Sequence, residues 1–225
     1  MGLFDKFKKK DKQGFNLELY DEKELNELEN YIIENFGEFK EVFHEIASPD
    51  IHVDIAIIEP NEKDDYYKLV TMGMGAHRMN VPKEWDEYQL NYAELVIFLP
   101  KDWVIQSDIE DNYWPIRWLK MLARMPGDCD TWLGYGHTIA AGENHETLSD
   151  NNQFEGIGLV EAMDKNNETA ILIMDNKKAI RFYQLVPLYG DEMEYKLECE
   201  DIGKLLEKFD EKDLSFVVDI HRRKY

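Results

Sequence analysis

YYKLVTM at residues 66–72 and AELVIFL at residues 93–99 are short runs of branched, aromatic and other apolar side chains, a pattern typical of β-strands. The second run is almost wholly apolar, so we expect it to be a central strand. Residues 39–46 and 51–58 predict two earlier strands joined as an antiparallel hairpin around Ser48-Pro49-Asp50. Later strands are predicted at residues 154–160, 170–174 and 180–187.

Two segments have the apolar spacing of amphipathic helices. The first follows Asp21, which with Glu24 resembles a capping box, and Gly37 predicts its end. The second covers residues 112–125, with Pro115 in its first turn and a stop at Pro126-Gly127-Asp128.

A third helix is predicted at residues 191–209, interrupted near Gly203. Strands therefore follow strands instead of alternating with helices. This order predicts an α+β fold in which a mixed, largely antiparallel sheet packs against helices. Because no internal repeat or long Gly/Ser linker divides the chain, we expect one domain over residues 16–225.

The charge balance disfavours anionic partners. The 225 residues include 47 Asp and Glu against 26 Lys and Arg, which gives a net charge of −21. Such a field repels phosphate backbones and anionic headgroups, so we expect no direct nucleic-acid binding and no stable membrane association. The same field speeds encounter with a basic protein, and a basic partner is the first functional expectation.

The cysteines and the start of the chain indicate a cytoplasmic protein. Cys129 and Cys199 belong to no CxxC or zinc-binding spacing, which suits a reducing compartment. No apolar run approaches the roughly 20 residues of a membrane span, and no signal-peptide core follows the first lysines. Residues 1–15, with five lysines against two aspartates, are expected to be a basic flexible tail.

The common catalytic motifs are absent from the sequence, so we expect no catalytic residues and no cofactor. A metal-dependent or hydrolytic enzyme stays open as an alternative. His52 and Asp54 would share a strand face, and loops could bring His77 and His137 near them. Since no further ligands occur at metal-site spacing, we expect no metal and favour hydrogen bonding or partner contact.

Two groups of residues are candidates for partner binding in addition to His52 and Asp54. Residues 191–213 contain ten acids against four lysines, and Asp191, Glu192 and Glu194 predict an electronegative helix face. A solvated helix surface would have the same pattern. Trp132 lies in a glycine-punctuated aromatic segment just before His137, and such indoles are either core wedges or interface anchors.

Six blocks of sequence together resemble the suppressor-of-fused (SUFU) domain family in its bacterial form. Each block is weak alone, but their order over residues 20–220 makes the match specific. The blocks are HVDI at 52–55, YKLVTMGM at 67–74, AELVIFLP at 93–100, WPIRWLK at 114–120, TWLGYGHTI at 131–139 and FYQLVPLY at 182–189.

The resemblance implies a single α+β domain without known catalytic residues that works by binding proteins. Animal relatives bind a transcription-factor peptide as an added strand, which uses an exposed sheet edge. Bacterial relatives look like immunity proteins or antitoxins that sequester a cognate toxin, frequently a nuclease. Because the chain lacks the animal proteins' additional C-terminal domain, transcription-factor tethering is not carried over.

These observations predict a non-enzymatic bacterial immunity protein or antitoxin that neutralises a basic toxin domain, for example a nuclease. A regulatory peptide-binding module unrelated to toxins is a second interpretation. The enzyme that would use His52, Asp54, His77 and His137 is the third.

Overall fold

Strands lie side by side in one eight-stranded sheet in the computed structural model, which describes residues 17–211 and 215–224. The sheet order is β1-β2-β3-β4-β8-β6-β5, and β7 pairs with the first half of β8. Every pairing is antiparallel except that of β4 with β8, so the predicted α+β class with a mixed sheet is confirmed. The strands are β1 (Phe39–Phe43), β2 (Asp54–Ile58), β3 (Tyr66–Met72), β4 (Ala93–Pro100), β5 (Thr138–Ala140), β6 (Gly156–Glu161), β7 (Ile171–Ile173) and β8 (Ala179–Leu188).

The described helices are α1 (Glu22–Asn35), α2 (Glu110–Cys129), α3 (Gly190–Cys199) and α4 (Ile202–Glu211), with two 3-10 helices at Met74–Ala76 and Lys83–Tyr88. The predicted capping box of α1 is confirmed, because Asp21 Oδ1 accepts from Glu24 N at 2.8 Å and Glu24 Oε2 accepts from Asp21 N at 3.3 Å. The helix ends just before Gly37, whose φ of 128° favours glycine. The tail predicted for residues 1–15 lies outside the described residues.

Apolar side chains cover both faces of the sheet because successive residues of a strand point to opposite sides. On one face, Leu28 and Ile32 of α1 pack with Phe182. Beside them, Leu205 of α4 packs with Val186. The other face is covered by α2, whose buried side chains join the largest core cluster: Trp114, Ile116, Trp118, Leu119, Leu122 and Ala123. The sheet is thus a central layer between helices.

Strand β4 is central, as its composition predicts, with Ala93 to Ile97 all buried. The predicted β1–β2 hairpin is also antiparallel, with Phe43 opposite Ile55. Its connection is longer than the expected turn and covers residues 44–53. Side chains hold this connection in place of a strand ladder, since Asp54 Oδ1 accepts from Glu45 N at 2.9 Å.

The predicted boundaries of α2 are wrong, because Pro115 was assigned to the first turn and Pro126 to the end, whereas both lie inside the helix. Pro115 lies inside the helix and cannot donate to the carbonyl of Asp111. Asn151 Nδ2 donates to that oxygen instead, at 2.8 Å. The helix also continues past Pro126 to Cys129 and closes at Asp130, which has a φ of 50°.

The C-terminal helix is broken earlier than predicted. Glu200 adopts a left-handed conformation with a φ of 55° and separates α3 from α4. Gly203, the expected break, lies inside α4. The change of direction lets α4 fold back along the sheet, where Ile202 is buried.

Candidate protein-interaction surface

Strand β5 is the last strand of the sheet, and no residue of 17–211 or 215–224 pairs with its outer side. The residues on either side of β5 form backbone hydrogen bonds to the β6 side. Ala141 N donates to Glu155 O at 2.8 Å, and His137 O accepts from Leu159 N at 2.9 Å. By the alternation of an antiparallel ladder, Thr138 and Ala140 direct their N–H and C=O groups away from β6. The three-residue strand was not predicted from the sequence, because so short an alternation gives little signal.

An aromatic pair lies where the chain enters β5. The rings of Trp132 and His137 meet edge to face, with centroids 4.3 Å apart. Gly134 makes this contact possible, since a Cβ there would lie 2.5 Å from the indole. The turn places Tyr135 at the surface, where it is 46% exposed. The segment therefore presents an aromatic ring beside the open edge.

His137 is held in its neutral form. Burial and the nearby positive charge of Lys196 lower the pKa of His137 below its ordinary 6.5. At neutral pH its ring is therefore an uncharged packing and hydrogen-bonding group.

Helix α3 packs on a face of the sheet next to this edge, against β6. A Cβ on Gly156 of β6 would lie 2.3 Å from Met193 Sδ and 2.6 Å from Ile139 O, so these groups crowd together. Burial raises the pKa of Tyr135, and the negative charge of Asp201 at the helix break raises it further. The acidic helices and the Trp132–His137 pair, which are separate in sequence, thus meet at β5. We call Thr138, Ala140, Tyr135 and the neighbouring acids the β5 surface.

Five exposed acids follow this surface along α3 and the helix break: Asp191, Glu194, Glu198, Glu200 and Asp201. Asp191 Oδ2 pairs with Lys224 Nζ at 3.1 Å, but both side chains are about half exposed, so solvent weakens the pair. The carboxylates therefore remain accessible to a basic partner.

Glu192 must be removed from the predicted acidic face. It is fully buried, and its carboxylate accepts from Arg222 Nη1 at 2.6 Å and from Tyr189 N at 2.9 Å. The guanidinium of Arg222 also donates to Pro187 O at 2.9 Å. The sequence placed Glu192 on the same acidic face as Asp191. Its partner Arg222 is 30 residues away in the chain, and no local pattern predicts that the two side chains pair. Glu192 is a structural residue that anchors the C-terminal segment.

Comparison with known proteins agrees with this architecture. Residues 49–223 match the family model of Suppressor of fused protein (SUFU). The chain belongs to the SUFU family. No protein with a curated description matches it.

Two solved structures share the fold of this SUFU-family chain. The SUFU homolog from Neisseria gonorrhoeae FA 1090 is 21% identical and aligns over 89% of this chain and 93% of its own, with a TM-score of 0.55. A chain of the Sufu–Fu complex is 14% identical and aligns over 89% of both chains, with a TM-score of 0.60. At these identities the similarity concerns the fold alone.

His52 and Asp54 lie at the opposite edge of this SUFU-family sheet. His52 Nε2 and His44 Nδ1 contact the two oxygens of Asp54 at 3.0 and 2.9 Å. Ser48 Oγ lies 2.8 Å from His52 Nδ1 and donates to Glu45 Oε2 at 2.7 Å. This network holds the β1–β2 connection together and does not contribute to the β5 surface.

The four residues of the enzyme hypothesis do not form one site. His52 pairs with Asp54, whereas His77 contacts Glu18 at 3.2 Å and His137 contacts Trp132. In residues 17–211 and 215–224, no three His, Cys, Asp or Glu side chains are grouped so that they could hold a metal ion. None of the helices described there has the length and apolar character needed to cross a bilayer.

Proposed function

We propose that this chain is a cytoplasmic, non-enzymatic immunity protein or antitoxin that captures a basic toxin domain at the β5 surface. The observation that carries the proposal is the free edge of β5, with the backbone groups of Thr138 and Ala140 directed outward beside exposed acids. The Sufu–Fu complex, which shares the fold, is itself an assembly of proteins.

The backbone supplies affinity in this proposal. An unpaired edge offers a row of donors and acceptors to an extended segment, which would add to the sheet beyond β5. Since β5 is short, only Thr138 and Ala140 provide outward groups, and the added strand is correspondingly short. Tyr135, next to this edge, would act as an aromatic anchor.

Charge supplies the rate of capture and part of the specificity. Asp191, Glu194 and Glu198 are exposed on α3, and the whole chain has a net charge of −21. A toxin that cleaves nucleic acid needs a basic cleft, which the same field attracts. Complementary charge at an interface rim chiefly raises the association rate.

The proposal is tested by removing one outward N–H. Ala140→Pro deletes the donor on the open side of β5 and leaves the β6 ladder untouched. The matched control is Ile173→Pro, because β7 is another short strand on which Ile173 alternates with residues that bond to β8. Both variants should retain the wild-type circular dichroism spectrum.

The proposal requires that a neighbouring reading frame encode a protein ending in a small basic domain, and that domain is the partner to test. Calorimetry should show that Ala140→Pro raises the Kd up to about tenfold, because the one hydrogen bond lost contributes up to about 1.4 kcal/mol, which corresponds to that factor. Ile173→Pro should bind like the wild type, and co-expression should rescue cells from the toxin domain. An unchanged Kd for Ala140→Pro would refute the edge mechanism, and binding without rescue would favour a regulatory peptide-binding module.

A further inference from the structure

A second polar cluster lies across β6 and β8. Glu161 of β6 is directly opposite Tyr183 of β8, and Arg181 is two residues before Tyr183 on the same sheet face. Arg181 Nη1 is 3.5 Å from Glu161 Oε1, at the limit of a hydrogen bond, and Arg181 Nη2 donates to Tyr88 O at 2.8 Å. We call Glu161, Arg181 and Tyr183 the amide cluster.

Each member of the amide cluster has a buried polar atom without a partner among the described residues. These atoms are Glu161 Oε2, Arg181 Nε and Tyr183 OH. Tyr183 is fully buried, and burial raises the pKa of both Glu161 and Tyr183. Leaving a buried polar atom unpaired is unfavourable, so three of them in one place indicate that a further hydrogen-bonding group belongs there.

The three unpaired atoms are closed to solvent, but the Glu161–Arg181 contact beside them is long, at 3.5 Å, and is the part that an entering ligand would displace. The side chains of Glu161 and Arg181 remain 21% and 17% exposed, and the 3-10 helix Lys83–Tyr88 lies beside them. The rings of Trp85 and Tyr88 pack on each other at 5.6 Å, and each is nearly half exposed. An approaching side chain would pass these rings before it reached the unpaired atoms.

We propose that the amide cluster binds the primary amide side chain of an Asn or Gln residue from a partner protein. The amide oxygen has two lone pairs, which match the N–H of Arg181 Nε and the hydroxyl of Tyr183. The amide nitrogen has two hydrogens, one of which matches Glu161 Oε2. A neutral ligand fits because Glu161 and Arg181 already balance each other's charge, and an added buried charge would lack a counter-ion.

This site goes beyond the proposed function, because it uses no atom of the β5 edge. It is tested with small probes that need no known toxin: N-acetyl-glutamine methylamide, and the nearly isosteric methionine and glutamate analogues as controls. The Arg181 Nε–H signal in ¹⁵N-labelled protein reports directly on one of the three bonds. The glutamine probe should shift this signal saturably, and both analogues should bind at least tenfold more weakly.

Tyr183→Phe distinguishes a ligand site from an unpaired structural atom. Removing an unpaired hydroxyl should leave the melting temperature unchanged or higher, yet weaken the glutamine probe at least tenfold. Tyr67→Phe on β3, two strands from β8, is the matched control and should bind normally. Glu161→Met, which removes the acceptor at similar size, provides a second variant that should also lose the probe.

The proposal is overturned if the glutamine probe gives no saturable shift, if the methionine analogue binds equally well, or if Tyr183→Phe keeps full affinity. These results leave the β5 proposal untouched, because the Ala140→Pro experiment measures a different surface.

Discussion

Replacing Glu192 with Gln should strongly destabilise the fold, although an acid in the first turn of an acidic helix resembles a surface residue. The Glu192 carboxylate is fully buried, and the paired Arg222 side chain is 8% exposed. Three aromatic rings surround the guanidinium, with its carbon 4.6 Å from the Tyr189 centroid and 5.1 Å from those of Phe154 and Phe209. Little water reaches a charge in this position, since the Arg222 side chain is 8% exposed.

The magnitude follows from the charge that Glu192→Gln leaves behind. The amide fits the space of the carboxylate, but Arg222 then has no counter-ion in a dry environment. Breaking one side of a buried pair costs about 3–5 kcal/mol. For a domain of this size that lowers the melting temperature by roughly 6–20 °C. Glu194→Gln, an exposed change on the same helix, should stay within about 0.5 kcal/mol of the wild type.

Urea unfolding followed by tryptophan fluorescence measures these differences, and a double-mutant cycle identifies their source. Arg222→Met combined with Glu192→Gln should be more stable than the sum of the single losses predicts, because the uncompensated charge is gone. Strict additivity, or a Glu192→Gln loss below about 1 kcal/mol, would refute the assignment of Glu192 as a buried anchor.

Three further outcomes are expected. The double variant Asp191→Asn, Glu194→Gln should associate more slowly with a basic toxin domain, and its association rate should depend less on salt. Its melting temperature should be unchanged. Stopped-flow rates identical to those of the wild type would place binding elsewhere. Leu122→Ala, at a buried core position, should cost about 2–5 kcal/mol in urea unfolding, whereas a small loss would indicate a loosely packed α2. An NMR titration of His137 should have its midpoint below 6.5, because burial and Lys196 disfavour the charged ring. The folded state then takes up the proton less readily than the unfolded chain. The contribution of His137 to stability is therefore present above pH 6.5 and is lost as the pH falls through the folded-state pKa. In His137→Asn this part of the pH-dependent loss of stability should disappear.

Strands that are apolar and bounded by turn residues could be predicted well from the sequence. Tyr66–Met72 was predicted to the residue, and β4 differs by one position. Local patterns carry this information because burial of both faces needs a continuous apolar run. The ends of α2 could not be predicted, since the bond that Pro115 cannot make is replaced by Asn151, which is distant in sequence.

The β5 surface was only partly visible in the sequence. The aromatic segment around Trp132 and the acids after Tyr189 were both identified, but nothing local predicts that they lie together at one strand edge. Glu192 was misplaced for the same reason, because Arg222 determines its burial from outside the helix. Pairings between distant segments are a property of the fold and have no local periodicity.

The parallel pairing of β4 with β8 affects the order in which the sheet can assemble during synthesis. Strands β1 to β4 pair with sequence neighbours and can form early. The edge of β4 that faces away from β3 stays unpaired until residues 179–188 are available to form β8. Contacts so distant in sequence slow folding, and an unpaired apolar strand promotes aggregation. During synthesis the growing chain therefore exposes the unpaired edge of β4 until residues 179–188 have emerged from the ribosome, and it is most prone to aggregate before that point.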